Sequence, residues 1–311
     1  MIIPHLTQVE SPLLSKNNTG LGNALFQMFT AYGLSKKYNH IFDNSNLKKL
    51  LYVLKNTFEL DHENTIYRNL KIYHNVHHTN TYVINENPNL YSCFDNNIQE
   101  FIKNNSKHTI YIIGYFQSHK YFDEYYEDIC ELIKPDLNSF NIIKSKYPHL
   151  HDANIINISF HTRLNWGYGI KYNMNFLFFF EAINYIETYL KKDKNNINKK
   201  IIINIFSDSI IELKKSFNYL EHECIFYENN TDYIDLWCMS LCNHNILSNS
   251  TLSWWGAYIN KNKDKIVIYP NDLLRLHMAT IYNTCVYTER ISEHYKPEWI
   301  GLDTSNVLYK I

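Results

Sequence analysis

The second half of the chain alternates short, almost continuously apolar runs with longer amphipathic stretches. The apolar runs are Ala153–Phe160, Lys199–Phe206, Cys224–Tyr227, His244–Ser248 and Asp264–Pro270. Runs of this length, rich in isoleucine and bounded by polar residues, are typical of strands buried on both faces. From about Asn154 onward the pattern therefore predicts a doubly wound α/β domain with a parallel sheet, and Asp264–Pro270 is its last predicted strand.

The stretches between these runs predict helices, because apolar residues recur in them every three or four positions. In TDYIDLWCMSLC, for example, Ile234, Trp237, Cys238 and Leu241 share one helical face, and Thr231 or Asp232 supplies an N-cap. The predicted helices are Asn173–Lys192, Ser209–Leu220, Thr231–Cys242 and Leu252–Lys261.

The first half of the chain has a weaker pattern. A glycine turn opens a predicted helix at Gly20–Tyr38, HTIYIIGYF predicts a strand, and Ser118–Pro135 predicts a helix that ends at its proline. The segment between Asp43 and Lys107 is polar and weakly periodic. We expect a smaller α/β domain here, with a boundary near Lys144–Asp152, so that residues 1–150 form one lobe and residues 151–311 the other.

Composition disfavours several classes of protein. Thirty basic and 31 acidic residues give a net charge of −1, which disfavours a nucleic-acid binder or a membrane-surface protein. No apolar run approaches the roughly 18 residues of a spanning helix, and the first residues do not resemble a signal peptide. The six cysteines are scattered, which is typical of free thiols in a reducing compartment. We expect a soluble cytoplasmic protein.

Polar side chains follow three of the predicted strands. They are His161, Thr162 and Arg163 after the first, Ser207, Asp208 and Ser209 after the second, and Asn249, Ser250 and Thr251 after the fourth. The carboxyl ends of parallel strands share one edge of a sheet, where open α/β sheets bind their ligands. The sequence therefore predicts a site at this edge.

The residue types at this edge indicate a nucleotide diphosphate. Arg163 offers a planar, permanently charged fork, and the Asn-Ser-Thr turn presents N–H groups at a helix N-terminus, where anions are favoured. His161 or Asp208 can contact a ribose or a base, and the turn Gly20–Asn23 offers a second backbone surface from the other lobe. Simpler interpretations remain open at this stage.

Each candidate site residue also has a purely structural interpretation. The glycine turn could be only a helix entry, Arg163 a surface ion pair and Asp208 a helix N-cap. Trp254 and Trp255 are expected to pack their helix on the sheet, and one face of the pair is a candidate wall of the pocket.

Several motifs together resemble glycosyltransferase family 11, the α-1,2-fucosyltransferases. They are GLGNALFQ, GYFQSHKYF, HTR, FSD and DLWCMSLCNHNILSNSTLSWWGAYIN, and they occur in the order of that family. The last is the most specific, with Leu252 where the family usually has phenylalanine. The resemblance covers most of the chain between Gly20 and Pro270, except the polar middle of the first half.

The resemblance implies a GT-B-like fold, with two Rossmann-type lobes facing across a cleft and the nucleotide held mainly by the C-terminal lobe. It implies a hexosyltransferase that moves fucose from GDP-fucose to the 2-hydroxyl of a galactose-type acceptor glycan, with inversion and without a metal or other cofactor. Arg163 would hold the β-phosphate and assist its departure, and His161 would contact the ribose or guanine. The other implied donor-binding residues are Gly20, Gly22, Asn23, Asn249, Ser250, Thr251 and Ser253.

One motif departs from the family. Where the family usually has His-x-Arg-Arg-Gly-Asp-Tyr, this chain has HTRLNWGYG, so Leu164 replaces the second arginine and Asn165 with Trp166 replaces Gly-Asp. A different sugar donor, or a catalytically silent nucleotide- or glycan-binding protein, is therefore an alternative. Lys171 or Lys120 could replace the lost charge. The general base is open, with Asp208 as a candidate, and the sequence identifies neither the acceptor nor the oligomeric state.

Overall fold

The computed structural model describes residues 1–5, 20–43, 81–87, 93–163, 176–196, 198–217, 220–271 and 293–303. Its contacts divide the chain into two compact units. Unit 1 comprises Met1–Asp136 and Thr284–Pro297, and unit 2 comprises Leu137–Asn283 and Glu298–Ile311. This division falls at Asp136, ahead of residue 150, and the roles that the sequence assigns to the two lobes stay predictions.

In unit 1, the described residues form a three-stranded parallel sheet in the order β1-β3-β2. The strands are β1 (Ile2–His5), β2 (Thr81–Asn85) and β3 (Thr109–Ile113), and the helices are α1 (Leu21–Lys37), α2 (Asn96–Asn104) and α3 (Tyr126–Leu132). Helix α1 is buried on most of its circumference, from Leu21 to Ser35. It is therefore the central packing element of this unit.

The single helix predicted for Ser118–Pro135 is wrong. Two 3-10 turns, His119–Tyr121 and Asp123–Tyr125, precede the shorter α3. Phe122 separates them with a non-helical backbone at φ −143° and ψ 0°. His119, Tyr121 and Phe122 are all buried, and three positions this close in sequence cannot share one face of an α-helix.

In unit 2, the described residues form a six-stranded, fully parallel sheet in the order β6-β5-β4-β7-β8-β9. The strands are β4 (Ile155–Thr162), β5 (Lys200–Ser207), β6 (Glu223–Phe226), β7 (His244–Ile246), β8 (Val267–Pro270) and β9 (Ile300–Leu302). The helices are α4 (Leu137–Lys146), α5 (Phe176–Leu190), α6 (Ile210–Ser216), α7 (Asp232–Ser240) and α8 (Thr251–Tyr258). The predicted α/β class with Rossmann-type parallel sheets is confirmed.

Strand β9 corrects one prediction, because Asp264–Pro270 is not the last strand. Ile300, Gly301 and Leu302 pair with β8 at the edge of the sheet. A strand of three residues is too short to give a period-two pattern in the sequence.

The two faces of this sheet differ in polarity. One face packs against α5 and α6 in an apolar core that includes Ile158, Phe160 and Ile205. The alternate residues of β4 point to the other face, and two of them, Asn157 and Ser159, are polar yet fully buried. The runs that look continuously apolar in the sequence therefore carry a polar row inside the fold.

This polar row is hydrogen-bonded throughout. Asn204 Nδ2 donates to Asn157 Oδ1 at 3.0 Å, and the Tyr227 hydroxyl donates to Asn204 Oδ1 at 2.9 Å. Asn245 Nδ2 donates both to Ser159 Oγ at 2.7 Å and to the Met239 carbonyl of α7 at 2.8 Å. A satisfied network of this kind fixes strand register and helix position more sharply than apolar packing alone.

His244 makes the stability of unit 2 dependent on pH. Its Nδ1 accepts the Ile266 N–H at 3.0 Å, and burial lowers its pKa to about 4. Between pH 6.5 and 4 the unfolded chain binds this proton and the folded chain does not. The free energy of unfolding therefore falls as pH drops through this window, by up to about 1.4 kcal/mol per pH unit for one histidine.

We expect His244→Asn to flatten this dependence, because the asparagine oxygen can accept the same N–H without titrating. The measurement is urea unfolding at several pH values between 4 and 6.5. Asp235, whose pKa burial raises to about 7, acts in the opposite direction in both proteins, so the difference between them isolates His244. Parallel pH curves for the two proteins would contradict the prediction.

Candidate functional site

The strand order of unit 2 defines where its ligand edge lies. Numbered from one to six along the chain, its strands run 3-2-1-4-5-6, the order of dinucleotide-binding Rossmann sheets. The order reverses between β4 and β7, and the crevice beyond the carboxyl ends of these two strands is where such sheets bind ligands. Two of the predicted site segments lie here: His161–Arg163 spans the carboxyl end of β4, and Asn249–Thr251 comes after β7.

A direct side-chain contact joins the two strand ends. His161 Nδ1 lies 2.9 Å from Ser248 Oγ, and His161 is 7% exposed. Burial, with a smaller contribution from the Arg163 charge, lowers the pKa of His161 to about 4. The imidazole is therefore neutral at pH 7, so it contributes hydrogen bonds and not charge to this edge.

The turn after β7 forms the N-terminus of α8. Ser250 is the N-cap, and its hydroxyl accepts the Leu252 N–H at 3.3 Å. Ser253 is buried, and its hydroxyl donates to the Ser250 carbonyl at 2.9 Å, so this side chain supports the turn from inside. The remaining N–H groups of the first turn, together with the helix dipole, favour an anion here.

Asn249 carries an unused hydrogen-bond donor in this turn. Its Nδ2 is shielded from solvent and has no acceptor among the described residues. Buried polar groups in native proteins are almost always paired, so the acceptor for this atom comes from a ligand or from residues beyond the described ranges.

Arg163 forms an ion pair with the end of the neighbouring strand. Its Nε lies 3.3 Å from Asp208 Oδ2, and the two side chains are 50% and 32% exposed. Ser209, not Asp208, is the N-cap of α6. The Asp208 carboxylate instead accepts the Ser209 hydroxyl at 3.2 Å.

The tryptophans of α8 are core residues. Trp254 and Trp255 are 1% and 0% exposed, and Trp254 stacks on Tyr258 with ring centroids 4.9 Å apart. The interpretation of the pair as a pocket wall is wrong, because full burial leaves neither ring a face for a ligand.

In unit 1, Gly20 is the N-cap of α1, and Gly22 and Asn23 lie in the first turn of this helix. Gly20 has extended backbone and no atom within 4 Å of its added Cβ position, Gly22 is buried, and Asn23 Oδ1 accepts Gln117 Nε2 at 3.0 Å. Gln117 belongs to the GYFQSHKYF motif after β3. The two unit 1 motifs that the sequence singled out are therefore directly hydrogen-bonded to each other.

The GYFQSHKYF turn has an unusual backbone that Glu86 holds in place. Gly114 and Phe116 have φ values of +149° and +50°. The carboxylate of Glu86 accepts the Tyr115 N–H at 2.7 Å and the Phe116 N–H at 3.0 Å. Sequence reasoning missed Glu86, which lies in the weakly patterned segment and accepts from backbone amides about 30 residues away in sequence.

A second residue that sequence reasoning missed is His294. It is buried, its ring stacks on Phe26 with centroids 5.9 Å apart, and its Nδ1 donates to the Gln117 carbonyl at 2.7 Å. Burial lowers its pKa to about 4, so this imidazole is also neutral at pH 7. His294 anchors the residue that binds Asn23.

The comparisons with known proteins decide the family. The sequence model of glycosyl transferase family 11 matches residues 17–303. The chain belongs to glycosyl transferase family 11. Among curated proteins, this family 11 glycosyltransferase is 28% identical over 292 residues to an Escherichia coli alpha-1,2-colitosyltransferase, an alignment that covers 86% of this chain and 93% of that protein.

One further similarity is to a shorter part of the chain, and another has a lower sequence identity. The O-antigen biosynthesis glycosyltransferase WbnK of Escherichia coli is 35% identical over 92 residues, or 29% of this chain and 28% of that protein. Among solved structures, a mutant of Arabidopsis thaliana FUT1 in complex with GDP aligns with a TM-score of 0.47 at 12% identity, covering 81% of this chain and 68% of that one. Family membership makes the protein an enzyme that transfers a sugar from a nucleotide sugar to a glycan acceptor.

Some predicted residues stay untested or have other partners. Leu164, Asn165, Trp166 and Lys171 lie outside the described residues. Lys120, the other suggested replacement for the missing arginine, pairs with Glu293 at 2.9 Å within unit 1.

The described parts of the chain contain no group of three or more His, Cys, Asp or Glu side chains placed to hold a metal ion. Cys93, Cys130, Cys224, Cys238 and Cys242 are free thiols. No helix in these parts combines the length and apolar content needed to cross a bilayer.

Proposed function

We propose that this family 11 glycosyltransferase moves fucose, or a closely related deoxy sugar, from its GDP-activated form to the 2-hydroxyl of a galactose-type acceptor. The observation that carries the proposal is the His161–Ser248 contact of 2.9 Å. It fixes the strand end that bears Arg163 beside the turn that bears Asn249, at the switch point of a Rossmann-type sheet.

The groups at this point suit a diphosphate leaving group. The acceptor hydroxyl attacks the anomeric carbon from the face opposite the diphosphate and gives up its proton to a base or to water. The bond from that carbon to the phosphate oxygen breaks, and GDP leaves with inversion. Negative charge grows on the diphosphate as the bond breaks. The Arg163 guanidinium, the N-terminus of α8 and the Asn249 amide would stabilise that charge, because preorganised donors act most strongly where charge develops.

In this proposal the enzyme needs no metal ion, since Arg163 and the helix N-terminus supply the positive potential that a divalent cation would otherwise provide. An excess of EDTA should leave the initial rate unchanged, whereas a rate restored only by Mg²⁺ or Mn²⁺ would contradict this part of the proposal.

A different donor is the second candidate. The similarity to an alpha-1,2-colitosyltransferase extends over 93% of that protein, and colitose is a deoxy relative of fucose. The altered residues Leu164–Trp166 come directly after Arg163 in the sequence, and this departure from the family motif is the reason to test other donors. Parallel assays with GDP-fucose, GDP-colitose, GDP-mannose and UDP-galactose distinguish the candidates, and nucleotide release with a β-galactoside acceptor is the readout.

The Asn249 amide gives a binding test that does not depend on turnover. GDP at 100 times its Kd should raise the stability of the parent protein by about 2.7 kcal/mol and thus raise its Tm. Asn249→Ala should weaken GDP binding by roughly 10- to 100-fold, the loss of one hydrogen bond to a charged group. Asn195→Ala, at an exposed asparagine before β5, is the matched control.

Calorimetric titration of GDP into the three proteins checks this prediction. Unchanged affinity in Asn249→Ala would remove the turn from the nucleotide site. GDP binding by the parent without turnover on any donor and acceptor pair would instead favour a catalytically silent binding protein.

A further inference from the structure

Asp208 faces two different sets of groups with its two carboxylate oxygens. Oδ2 lies 3.3 Å from Arg163 Nε. Oδ1 accepts the hydroxyls of Ser209 at 3.2 Å and Ser207 at 3.5 Å, and Ser207 Oγ in turn accepts the Ser209 N–H at 3.0 Å. The carboxylate is therefore held by its own turn on one side and presented to the guanidinium on the other.

The register of the sheet places Arg163 and Asp208 side by side. Thr162 and Ser207, which directly precede Arg163 and Asp208, are partners in the parallel ladder of β4 and β5. The two charged residues thus leave adjacent strands at the same level, next to the switch point between β4 and β7.

We infer that Asp208 is a positioning residue for Arg163 and not the general base of the reaction; this rests on the proposed function. A guanidinium has two usable edges, and an acceptor at Nε occupies only one of them. The edge formed by the two Nη groups then stays available for bidentate contact with a diphosphate. A long arginine side chain that is half exposed would otherwise sample many rotamers, so the carboxylate fixes the direction of the fork before the donor binds.

The two roles predict different results for two substitutions. If Asp208 is the general base, neither asparagine nor alanine can accept the proton in its place. Asp208→Asn and Asp208→Ala would then abolish turnover alike and leave GDP affinity unchanged. A positioning residue only has to accept the Nε–H, which an asparagine oxygen can still do, while its amide N–H₂ can donate to the serine hydroxyl oxygens. The conservative variant should therefore rescue most of the function that alanine loses.

The test measures GDP Kd by calorimetry and kcat and KM by GDP release for the parent, Asp208→Asn, Asp208→Ala, Arg163→Ala and the Asp208→Ala/Arg163→Ala double variant. Glu221→Gln, at an exposed carboxylate before β6, controls for the loss of one negative charge. We expect Asp208→Ala to weaken GDP binding about 10-fold and Asp208→Asn to stay within about 3-fold of the parent. The double variant should be no weaker than Arg163→Ala, because the carboxylate acts only through the guanidinium.

Each of five results would overturn the inference. Equal loss of turnover in the Asn and Ala variants at unchanged GDP affinity assigns Asp208 to proton transfer. Tighter GDP binding in Asp208→Ala shows that the carboxylate merely repels the diphosphate. Additive losses in the double variant show independent roles. If Arg163→Ala weakens GDP binding and Asp208→Ala does not, the inference fails alone, whereas a parent that binds no GDP overturns the proposed function and this inference with it.

Discussion

Replacement of Arg163 by alanine is expected to lower kcat/KM for the sugar nucleotide by roughly 10²–10³-fold, the range for removing one preorganised donor from a developing negative charge. Asn249 and the N-terminus of α8 would remain, but neither carries a full positive charge. Because Leu164 replaces the family's usual second arginine, this motif has no other arginine to stabilise the diphosphate once Arg163 is removed.

Two variants sharpen this prediction. Arg163→Lys keeps the charge but loses the planar fork, so its rate should fall between those of the parent and the alanine variant. Lys194→Ala removes an exposed cation from the turn before β5 and should match the parent. Initial rates of GDP release at saturating acceptor give the comparison. An Arg163→Ala rate within about 3-fold of the parent would contradict the assigned role.

The second large effect concerns stability. Gly33 lies in the buried helix α1, and a Cβ added there would lie 2.3 Å from the Tyr121 carbonyl oxygen and 2.9 Å from Phe122 Cα. Both are backbone atoms, so no side-chain rotation relieves the overlap. Gly33→Ala should therefore lower the free energy of unfolding by about 3 kcal/mol, the upper range for overpacking, although alanine favours helix by about 1 kcal/mol.

Gly20→Ala is the matched control for this substitution, because no atom lies within 4 Å of its added Cβ and its φ is −60°. Its Tm should stay close to that of the parent. Chemical unfolding of the three proteins tests the pair of predictions. A Gly33→Ala protein as stable as the parent would mean that α1 and the turn at Tyr121 can separate without loss of packing energy.

Long apolar strands and their order along the chain could be predicted from sequence. The strands β4, β5 and β8 lie in isoleucine-rich runs bounded by polar residues, and those local signals survive in the fold. The buried polar row could not be predicted. Asn157, Asn204 and Asn245 are satisfied only by partners brought together through strand pairing, and a strand pattern does not reveal such partners.

The candidate site was predictable to the level of strand ends but not of contacts. Sequence places Arg163 and Asp208 each after a parallel strand, but their 3.3 Å contact depends on the register of Thr162 with Ser207. Register is set by packing across the whole sheet, so no local motif encodes it. Glu86 is a similar case, since it binds backbone amides that any residues in the turn would provide.

The discontinuity of unit 1 has a consequence for how the protein is made. Thr284–Pro297 belongs to this unit, and within it Glu293 accepts the Phe94 N–H at 2.6 Å across a separation of 199 residues. Lys296 likewise donates to Asp123 at 2.8 Å. Nascent chains usually complete their N-terminal domain first, but here the ribosome must also synthesise all of Leu137–Asn283 before that unit receives Thr284–Pro297. Until then, the apolar surface that His294 and Tyr295 cover in the folded unit stays exposed, which is the situation in which chaperones bind.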